Sequence, residues 1–324
     1  MLGWARASLA ADVIWIRWSR VWVTLLRNEE RSALMAVISV VVPAYNEEAT
    51  IATCLDHLLN QTRPPEEILV VDNASTDRTP EIVREYAARY PTIRVVDEST
   101  PGIYSARRAG FDAARGDIIA RTDADTFVSR TWCEGIDAVL GDDGREDAVG
   151  ATGPTLYWGG PAYEKIKGAM LRGRLAEEGG FVQSMPGLNT ALRATAWREI
   201  RDSLINRVEI WEDMDLSMAM RDRDMKVFFT PAMLVDTSIR QVRHSPWRNR
   251  HYILGGIRTA FARGDRAVIA LMFMELPVRL TYTTVFWLIF GPWDDEKKNW
   301  RLHRLFSAKH RERPLITSGR EGAK

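Results

Sequence analysis

Two aspartates, Asp123 and Asp125, follow the apolar run Ile118-Ile119-Ala120 after Arg121 and Thr122. If this run is a β-strand, carboxylates two residues apart point to one face, and in the turn after the strand they can converge on one ion. Carboxylate oxygens beside open coordination positions suit Mg²⁺ or Mn²⁺ carrying a diphosphate. The alternative is an aspartate pair that caps a turn and binds no ligand.

The segments around these aspartates alternate between strand and helix patterns. Continuous apolar runs at Val37–Val42, Ile68–Val71 and Ile93–Val96 are typical of strands buried on both faces. Apolar residues at helical spacing follow Ile51, and Pro80 favours the first turn of another helix. This alternation predicts an α/β fold with a parallel sheet and right-handed crossovers, in which ligands bind at the carboxyl ends of the strands.

The composition narrows the range of functions. The 324 residues include 44 basic and 43 acidic side chains, so the overall charge does not favour a nucleic-acid partner. Cys54 and Cys133 lack metal-ligand spacing, and we expect two buried thiols in a reducing compartment. The N-terminus does not have the pattern of a signal peptide.

Two segments suggest contact with a membrane surface. Residues 12–27 predict a helix with arginines on one arc and tryptophans opposite, which suits either a bilayer surface or packing on the protein's own core. Residues 267–291 are the most apolar, but Glu275, Pro277 and Arg279 divide them into two short runs. We expect interfacial or core helices there, with a re-entrant hairpin as the alternative.

Several short motifs occur in the order typical of one enzyme family. They are Val41–Glu48 (VVPAYNEE), Val70–Asp77 (VVDNASTD), Ala106-Arg107, Gly116-Asp117, Asp123–Asp125, Gly187–Asn189 and Trp211–Leu216. With these motifs the chain resembles family-2 glycosyltransferases of the GT-A fold, roughly over residues 36–250. The resemblance implies a Rossmann-like, nucleotide-binding, mostly parallel sheet flanked by helices.

We therefore predict a GT-A domain at residues 35–250. An amphipathic arm at 1–34 precedes it, and apolar helices at 251–293 and a basic tail at 294–324 follow it.

The resemblance also implies roles for individual residues. The donor-binding residues would be Pro43, Tyr45, Glu47, Asp72, Arg107 and Asp123. The metal ligands would be Asp125 and Asp123, with His244 completing the site. The acceptor-side residues would be Gly187, Asn189 and Trp211. The catalytic residues would be Asp213, which matches the family's general base, and Glu212 beside it. Arg108 stands where the family usually has asparagine.

These roles describe an inverting sugar transfer. The sugar's leaving group is a nucleotide diphosphate, and a divalent cation (Mg²⁺ or Mn²⁺) and an arginine would stabilise its developing charge. A carboxylate takes the proton of the attacking acceptor hydroxyl. One in-line displacement inverts the anomeric configuration and needs no second nucleophile.

Structural alternatives remain for several acidic residues. Asp72 and Asp77 could both cap the helix after their loop, and we expect ligand contact from Asp72 and capping from Asp77. Acids at 212, 213 and 215 also suit a first helical turn, and we expect Asp215 to be structural.

Two functions are possible for the arginines near His244. Arg240, Arg243 and Arg248 either bind diphosphate or belong to a solvated basic loop. The segment from Gln241 lacks the spacing of the processive members of the family, which favours transfer of a single sugar.

The expected partners follow from these assignments. The donor is a UDP- or GDP-sugar, and the acceptor is a lipid-linked or cell-surface glycan. The basic tail and the helix at 12–27 suggest peripheral association with the cytoplasmic face of an anionic membrane. The alternatives are a catalytically altered partner subunit, which Arg108 favours, and a sugar-phosphate nucleotidyltransferase, although no Gly-rich nucleotide loop opens the chain.

Overall fold

The structure, a computed structural model, describes residues 36–294 and 297–305. The chain divides into two compact units, residues 1–36 and 37–324, and every element described below belongs to the second. The predicted arm at 1–34, with its helix at 12–27, lies outside the described residues. Residues 306–324 of the predicted basic tail also lie outside them.

Strands and helices alternate through the first half of the chain, as the apolar pattern predicts. The strands are β1 (Ile38–Ala44), β2 (Glu67–Asp72), β3 (Ile93–Asp97), β4 (Ile118–Thr122), β5 (Thr126–Val128), β6 (Gly150–Thr152), β7 (Thr155–Trp158), β8 (Gly180–Val182), β9 (Asn189–Arg193), β10 (Val227–Phe229), β11 (Val235–Ser238), β12 (Trp293–Asp294) and β13 (Asn299–Trp300). The helices are α1 (Ile51–Leu59), α2 (Thr79–Arg89), α3 (Ile103–Ala113), α4 (Trp132–Leu140), α5 (Tyr163–Met170), α6 (Arg174–Glu178), α7 (Ala194–Ile200), α8 (Glu212–Arg221), α9 (Arg250–Ile253), α10 (Gly255–Arg263) and α11 (Arg266–Phe290).

The described strands form a main sheet in the order β3-β2-β1-β4-β9-β6-β10-β8. β3, β2, β1 and β4 are parallel neighbours, so their carboxyl ends meet at one edge of the sheet. β9 is antiparallel to both β4 and β6, which brings the start of β9 to the end of β4. The predicted α/β fold with a largely parallel, helix-flanked sheet is confirmed.

A smaller sheet, in the order β5-β11-β7, stands beside this edge. β5 begins at Thr126, directly after Asp125, and β11 ends two residues before Arg240. The antiparallel pairing of β5 with β11 therefore brings two segments that are far apart in sequence next to each other.

Apolar side chains cover both faces of the main sheet. On one face, Val41 and Val71 pack beneath α3, α7 and α8, where Phe111 and Trp197 meet edge to face at 4.9 Å. A Cβ atom at Gly110 would come 2.3 Å from Val41 Cγ1, so glycine allows α3 to lie close on the sheet. The alternate strand residues face the other helices because side chains alternate along a strand.

One long helix covers the C-terminal part of the described chain. α11 runs continuously for 25 residues with Pro277 inside it, so the prediction of two short runs is wrong. Glu275 and Arg279, which interrupt the apolar sequence, form an i,i+4 ion pair at 2.9 Å, and Arg279 also donates to the Ile253 carbonyl. Their charges therefore cancel within the helix instead of ending it.

α11 buries only part of its surface. Met272, Arg279, Thr283 and Phe290 are buried, while Met274 and Val278 are 70% and 67% exposed. Of the described helices, α11 is long and apolar enough to cross a membrane, judged by length and composition alone. The start of the predicted basic tail is folded: β12 and β13 pair, and Asp294 binds Arg301 and Arg304.

Candidate functional site

The carboxyl ends of β1, β2 and β4 bring the first group of predicted site residues to one edge. β1 leads into Glu47, β2 ends at Asp72, and β4 leads into Asp123. The first two loops are joined by Asn46, whose Oδ1 accepts a hydrogen bond from the amide of Thr76 at 2.7 Å. Asn46 has φ 55°, a left-handed conformation that asparagine tolerates better than most residues.

The residues predicted to line the nucleotide pocket differ in exposure. Pro43 is half-buried, Tyr45 is 49% exposed, and Asp72 is buried with Oδ1 3.3 Å from the amide of Ser75. Asp77 accepts from the amide of Thr79, the first residue of α2, at 2.9 Å. The structural role expected for Asp77 is confirmed.

Asp125 shares an arginine with Glu47. Arg240 Nη2 lies 2.7 Å from Glu47 Oε1, and the same guanidinium binds Asp125 Oδ2 through Nη2 and, at 3.2 Å, through Nε. The three side chains are between 16% and 31% exposed. Burial raises the pKa of both carboxyls, which Arg240 opposes. Arg240 is thus a partner of the carboxylates and not part of a solvated loop.

The predicted three-ligand metal site does not form. Among the described residues, no three His, Cys, Asp or Glu side chains lie close enough to hold one ion. His244 is buried after the turn at 241–243 and does not form a three-residue group with the two aspartates. Asp123 and Asp125 alone still fit Mg²⁺ or Mn²⁺, which bind through one or two carboxylates together with phosphate oxygens and water.

A buried chain of alternating charges connects the two main motifs. Arg107 and Arg121 both form ion pairs with the carboxylate of Glu212, and Arg121 Nη2 also lies 2.8 Å from Asp123 Oδ1. The side chains of both arginines are at most 2% exposed, and that of Glu212 is 10% exposed. Two positive and two negative groups cancel, which a low-dielectric interior requires.

The buried ion pairs change the roles predicted for Arg107 and Glu212. Arg107 was expected to face the donor, but it is fully buried and donates to the carbonyl of Glu212 at 2.8 Å. Burial, reinforced by the charge of Arg121, lowers the pKa of Arg107. Glu212 was expected to assist the base, but its ion pairs with both arginines hold its proton-accepting oxygens. It is a positioning residue that anchors the start of α8 to β4.

Arg121 belongs to the site but was not predicted as a functional residue. Its only sequence signal is a charged side chain inside the buried strand Ile118–Thr122, two residues before Asp123. Because a buried charge must be paired, such an arginine indicates an acidic partner, although the sequence does not show which one.

Asp213 differs from its neighbour Glu212. Its Oδ1 accepts from the amide of Met214 at 2.8 Å, and its Oδ2 accepts from the amide of Gly187 at 3.3 Å. Neither oxygen is bound to an arginine or lysine of the described chain. Asp213 is half-buried, so its carboxylate is oriented by backbone amides and keeps acceptor capacity for a proton.

The three acceptor-side predictions have different outcomes. Gly187 lies beside Asp213. Asn189 is fully buried and bonds to Trp132 Nε1 and the Met233 carbonyl, so its predicted acceptor contact is wrong. Trp211 precedes α8 and packs against the ring of Tyr252 at 5.3 Å.

Trp211 also lies under the guanidinium of Arg279, 4.5 Å from its ring, so it connects the Asp213 segment to α11. Tyr252 is close to both regions. Burial raises the pKa of Tyr252, and the negative charge of Asp213 raises it further, followed by Tyr157 and Tyr282.

Two other charged residues lie apart from this edge. Arg108 points to the surface, where its Nη2 lies 2.9 Å from Asp202 Oδ1. Asp215 is fully buried between the Arg263 guanidinium and the amide of Ile205, which confirms its structural role.

A mixed sheet with an Asp-x-Asp turn at its carboxyl edge, and an aspartate without an ion pair in the described chain at the start of a neighbouring helix, fit the GT-A fold. Solved structures share this fold. A mannosyltransferase from Pyrobaculum calidifontis, PcManGT, in complex with GDP-Man and Mn²⁺, matches with a TM-score of 0.58 and 20% identity over 78% of this chain and 74% of its own. TarS 1-349 from S. aureus matches with a TM-score of 0.51 and 16% identity over 79% and 71%.

Residues 39–167 match the family model described as Glycosyl transferase family 2. The putative glycosyltransferase EpsH of Bacillus subtilis is 37% identical over 106 residues, 33% of this chain and 31% of its own length. The glycosyltransferase AglE of Haloferax volcanii is 34% identical over 114 residues, 34% and 38% of the two chains. The matched segment thus spans about a third of these relatives' length. These matches support the predicted family-2 glycosyltransferase domain, and the predicted GT-A fold is confirmed.

Proposed function

We propose that this protein transfers one sugar from a nucleotide-diphosphate sugar to an acceptor hydroxyl or phosphate with inversion of the anomeric configuration. The observation that carries this proposal is the environment of the Asp213 carboxylate. This carboxylate is held by two backbone amides and has no ion-pair partner in the described chain, while the adjacent Glu212 leads through Arg121 to Asp123. A proton acceptor is thus connected through Glu212 and Arg121 to the carboxylates that fit a metal–diphosphate.

The donor side is supported by the strand ends and by two structural neighbours. Tyr45, Glu47 and Asp72 surround the carboxyl ends of β1 and β2, where α/β sheets bind nucleotides. PcManGT was solved with GDP-Man and Mn²⁺, and TarS 1-349 was solved with UDP-GlcNAc. We infer a UDP- or GDP-sugar as the donor of this chain.

In the proposed mechanism, Asp213 accepts the proton of the acceptor hydroxyl while the hydroxyl oxygen attacks the anomeric carbon. The bond from that carbon to the diphosphate oxygen breaks, and the nucleoside diphosphate leaves. The amides of Gly187 and Met214 fix the carboxylate of Asp213 for this role. Asp123 and Asp125 would hold Mg²⁺ or Mn²⁺, which supplies positive charge to the leaving diphosphate.

For the acceptor we propose a lipid-linked molecule or a surface glycan reached at an anionic membrane surface. α11 presents exposed apolar side chains, and Glu275 is its only exposed charged residue after Arg266. Exposed Lys297 and Lys298 follow the helix, next to Trp300. Apolar contact flanked by cations complements an anionic bilayer.

The position of α11 also supports a lipid-linked acceptor, because Arg279 on this helix lies over the ring of Trp211, two residues before Asp213. The buried free thiols of Cys54 and Cys133 fit the reducing, cytoplasmic side of the membrane.

The test is a donor screen on the full chain. UDP-, GDP- and dTDP-sugars are each combined with Mn²⁺, Mg²⁺ or EDTA, and thermal stability and nucleotide release are measured with and without polyprenyl phosphate in anionic vesicles. A ligand at about 100 times its Kd should stabilise the fold by about 2.7 kcal/mol. Nucleotide release with one donor, and a product of inverted configuration by NMR, would support the proposal.

Binding of a donor without turnover in any acceptor mixture would instead favour a catalytically altered partner subunit. No response to any donor would overturn the nucleotide-sugar assignment.

A further inference from the structure

The guanidinium of Arg240 binds Asp125, the carboxylate predicted to bind the divalent metal. The same guanidinium bridges the carboxylates of Asp125 and Glu47, which come from the β4–β5 turn and from the loop after β1. These two segments are 78 residues apart in sequence, and Arg240 is a further 115 residues beyond Asp125. The contact is thus made only in the folded chain, directly after β11.

The charges in this cluster do not balance. Two carboxylates share one guanidinium, which leaves one negative charge in a site where the three side chains are mostly buried. The neighbouring Asp123 is offset by Arg121, whose Nη2 lies 2.8 Å from its Oδ1, so the excess negative charge belongs to Asp125 and Glu47. A divalent ion would neutralise the pair of carboxylates more completely than one arginine does.

We propose that Arg240 is a built-in competitor of the divalent metal: it holds Asp125 and Glu47 in the donor-free enzyme, and it moves to the donor diphosphate when the metal binds Asp125. This inference rests on the proposed function, because it needs a metal and a diphosphate at this edge. A guanidinium suits both states, since its planar fork binds carboxylates and phosphates equally well.

The consequence is a coupling between the two ligands. Metal binding alone must break the contacts of Arg240 with Asp125 without giving the guanidinium a new partner. When a diphosphate is present, Arg240 exchanges one anionic partner for another, so the metal should bind more tightly. By linkage, the metal must strengthen diphosphate binding by the same factor, and couplings of this kind are typically about 5- to 150-fold.

The experiment measures Mn²⁺ binding to the full chain from the EPR signal of free Mn²⁺, first with Mn²⁺ alone and then with UDP or GDP. Wild type is compared with Arg240→Gln, which removes the positive charge, and with Arg240→Lys, which keeps the charge but cannot bridge both carboxylates in the same way. The control is Arg250→Gln, an exposed arginine ten residues further on that stacks on Trp247. Thermal unfolding of each variant confirms that it is folded.

We expect Arg240→Gln to bind Mn²⁺ alone at least about fivefold more tightly than wild type and to lose most of the strengthening by nucleoside diphosphate. Arg240→Lys should lie between the two, and Arg250→Gln should behave as wild type. If Arg240→Gln binds Mn²⁺ alone no more tightly than wild type, the competition is overturned. If none of the proteins binds Mn²⁺ at millimolar concentration, it is overturned as well.

Donor turnover separates this inference from the proposed function. Sugar transfer by wild type in EDTA would overturn metal competition while leaving glycosyl transfer intact. Tighter Mn²⁺ binding by Arg240→Gln, in a protein that turns over no donor, would support the role of Arg240 and count against the proposed reaction.

Discussion

The carboxylate of Glu212 and the guanidinium of Arg121 form a buried ion pair that joins the start of α8 to the middle of the site edge. Glu212 belongs to the segment that carries Asp213, and Arg121 precedes Asp123 by two residues. The pair therefore sets the separation between the proposed base and the carboxylates proposed for the metal. Arg107 completes the contact from α3.

We expect Glu212→Gln to destabilise the fold by about 3–5 kcal/mol, because it leaves two buried arginines without their shared anion. Urea unfolding followed by circular dichroism measures this change. Glu209→Gln, three residues earlier and half-buried without an ion pair in the described chain, should stay within about 0.5 kcal/mol of wild type. Equal stability of the two variants would show that the ion pairs do not hold the segment.

Gly187 is required by the same contact. A Cβ atom there would come 2.9 Å from Arg121 Nη1 and 3.0 Å from Glu212 Oε1. Gly187→Ala should cost about 1–3 kcal/mol through overpacking and should reduce sugar transfer by displacing the amide that orients Asp213. The matched control is Gly168→Ala in α5, where a Cβ atom meets nothing within 4 Å, so stability should rise by about 0.5–1 kcal/mol. Unchanged stability and activity of Gly187→Ala would contradict the close packing.

Asp213→Asn tests the proposed base without changing the size of the side chain. Removing a general base should lower the rate of sugar transfer by about 10²- to 10⁴-fold. Donor-induced thermal stabilisation should be unchanged, because Asp213 acts on the acceptor. Asp202→Asn, an exposed residue paired with Arg108, is the control and should keep full activity. An active Asp213→Asn enzyme would mean that another group takes the proton.

The start of α11 should depend on pH through Asp265. Its side chain accepts from the amide of Val268 at 3.0 Å, and this bond, together with Arg221, lowers the pKa of Asp265. The ionised form therefore contributes stability above its ordinary pKa of about 4, and this stability is lost as the pH falls through the lowered pKa. Asp265→Ala should have a lower Tm than wild type at pH 7, and the difference should shrink as the pH is lowered towards 3.

Asp265→Asn keeps a capping oxygen and should show a smaller Tm difference than Asp265→Ala. A difference that does not change with pH would assign the effect to the cap alone and not to its charge.

The exposed face of α11 can be tested by a single charge. Met274→Glu places a carboxylate at a position that is 70% exposed on the apolar helix surface. It should weaken flotation of the full chain with anionic liposomes, since burying a charge in the interface is unfavourable and like charges repel. Tyr90→Glu replaces an exposed aromatic side chain directly after α2, outside α11, and should float as wild type does. Equal flotation of both variants would remove α11 from the membrane contact.

The fold class and the positions of the acidic motifs could be predicted from local sequence patterns. Continuous apolar runs and helical spacing are local patterns, and parallel strands bring their carboxyl ends to one edge whatever the loops contain. For that reason Glu47, Asp72 and Asp123 could be assigned to one edge from the order of the strands. The structural roles of Asp77 and Asp215 followed from local helix-start preferences.

Which charged residues form ion pairs depends on the packing of the folded chain. Arg107 and Asn189 fit their motifs in sequence, yet both are fully buried, because burial depends on the elements packed above them. The sequence also could not show that Arg121 holds Glu212 or that Arg240 holds Asp125, since these partners are 91 and 115 residues apart. Glu275 and Arg279 reversed the prediction for α11 because an i,i+4 pair cancels charges that a hydropathy pattern counts separately. Ion pairs are set by distance in space, and sequence patterns report only distance along the chain.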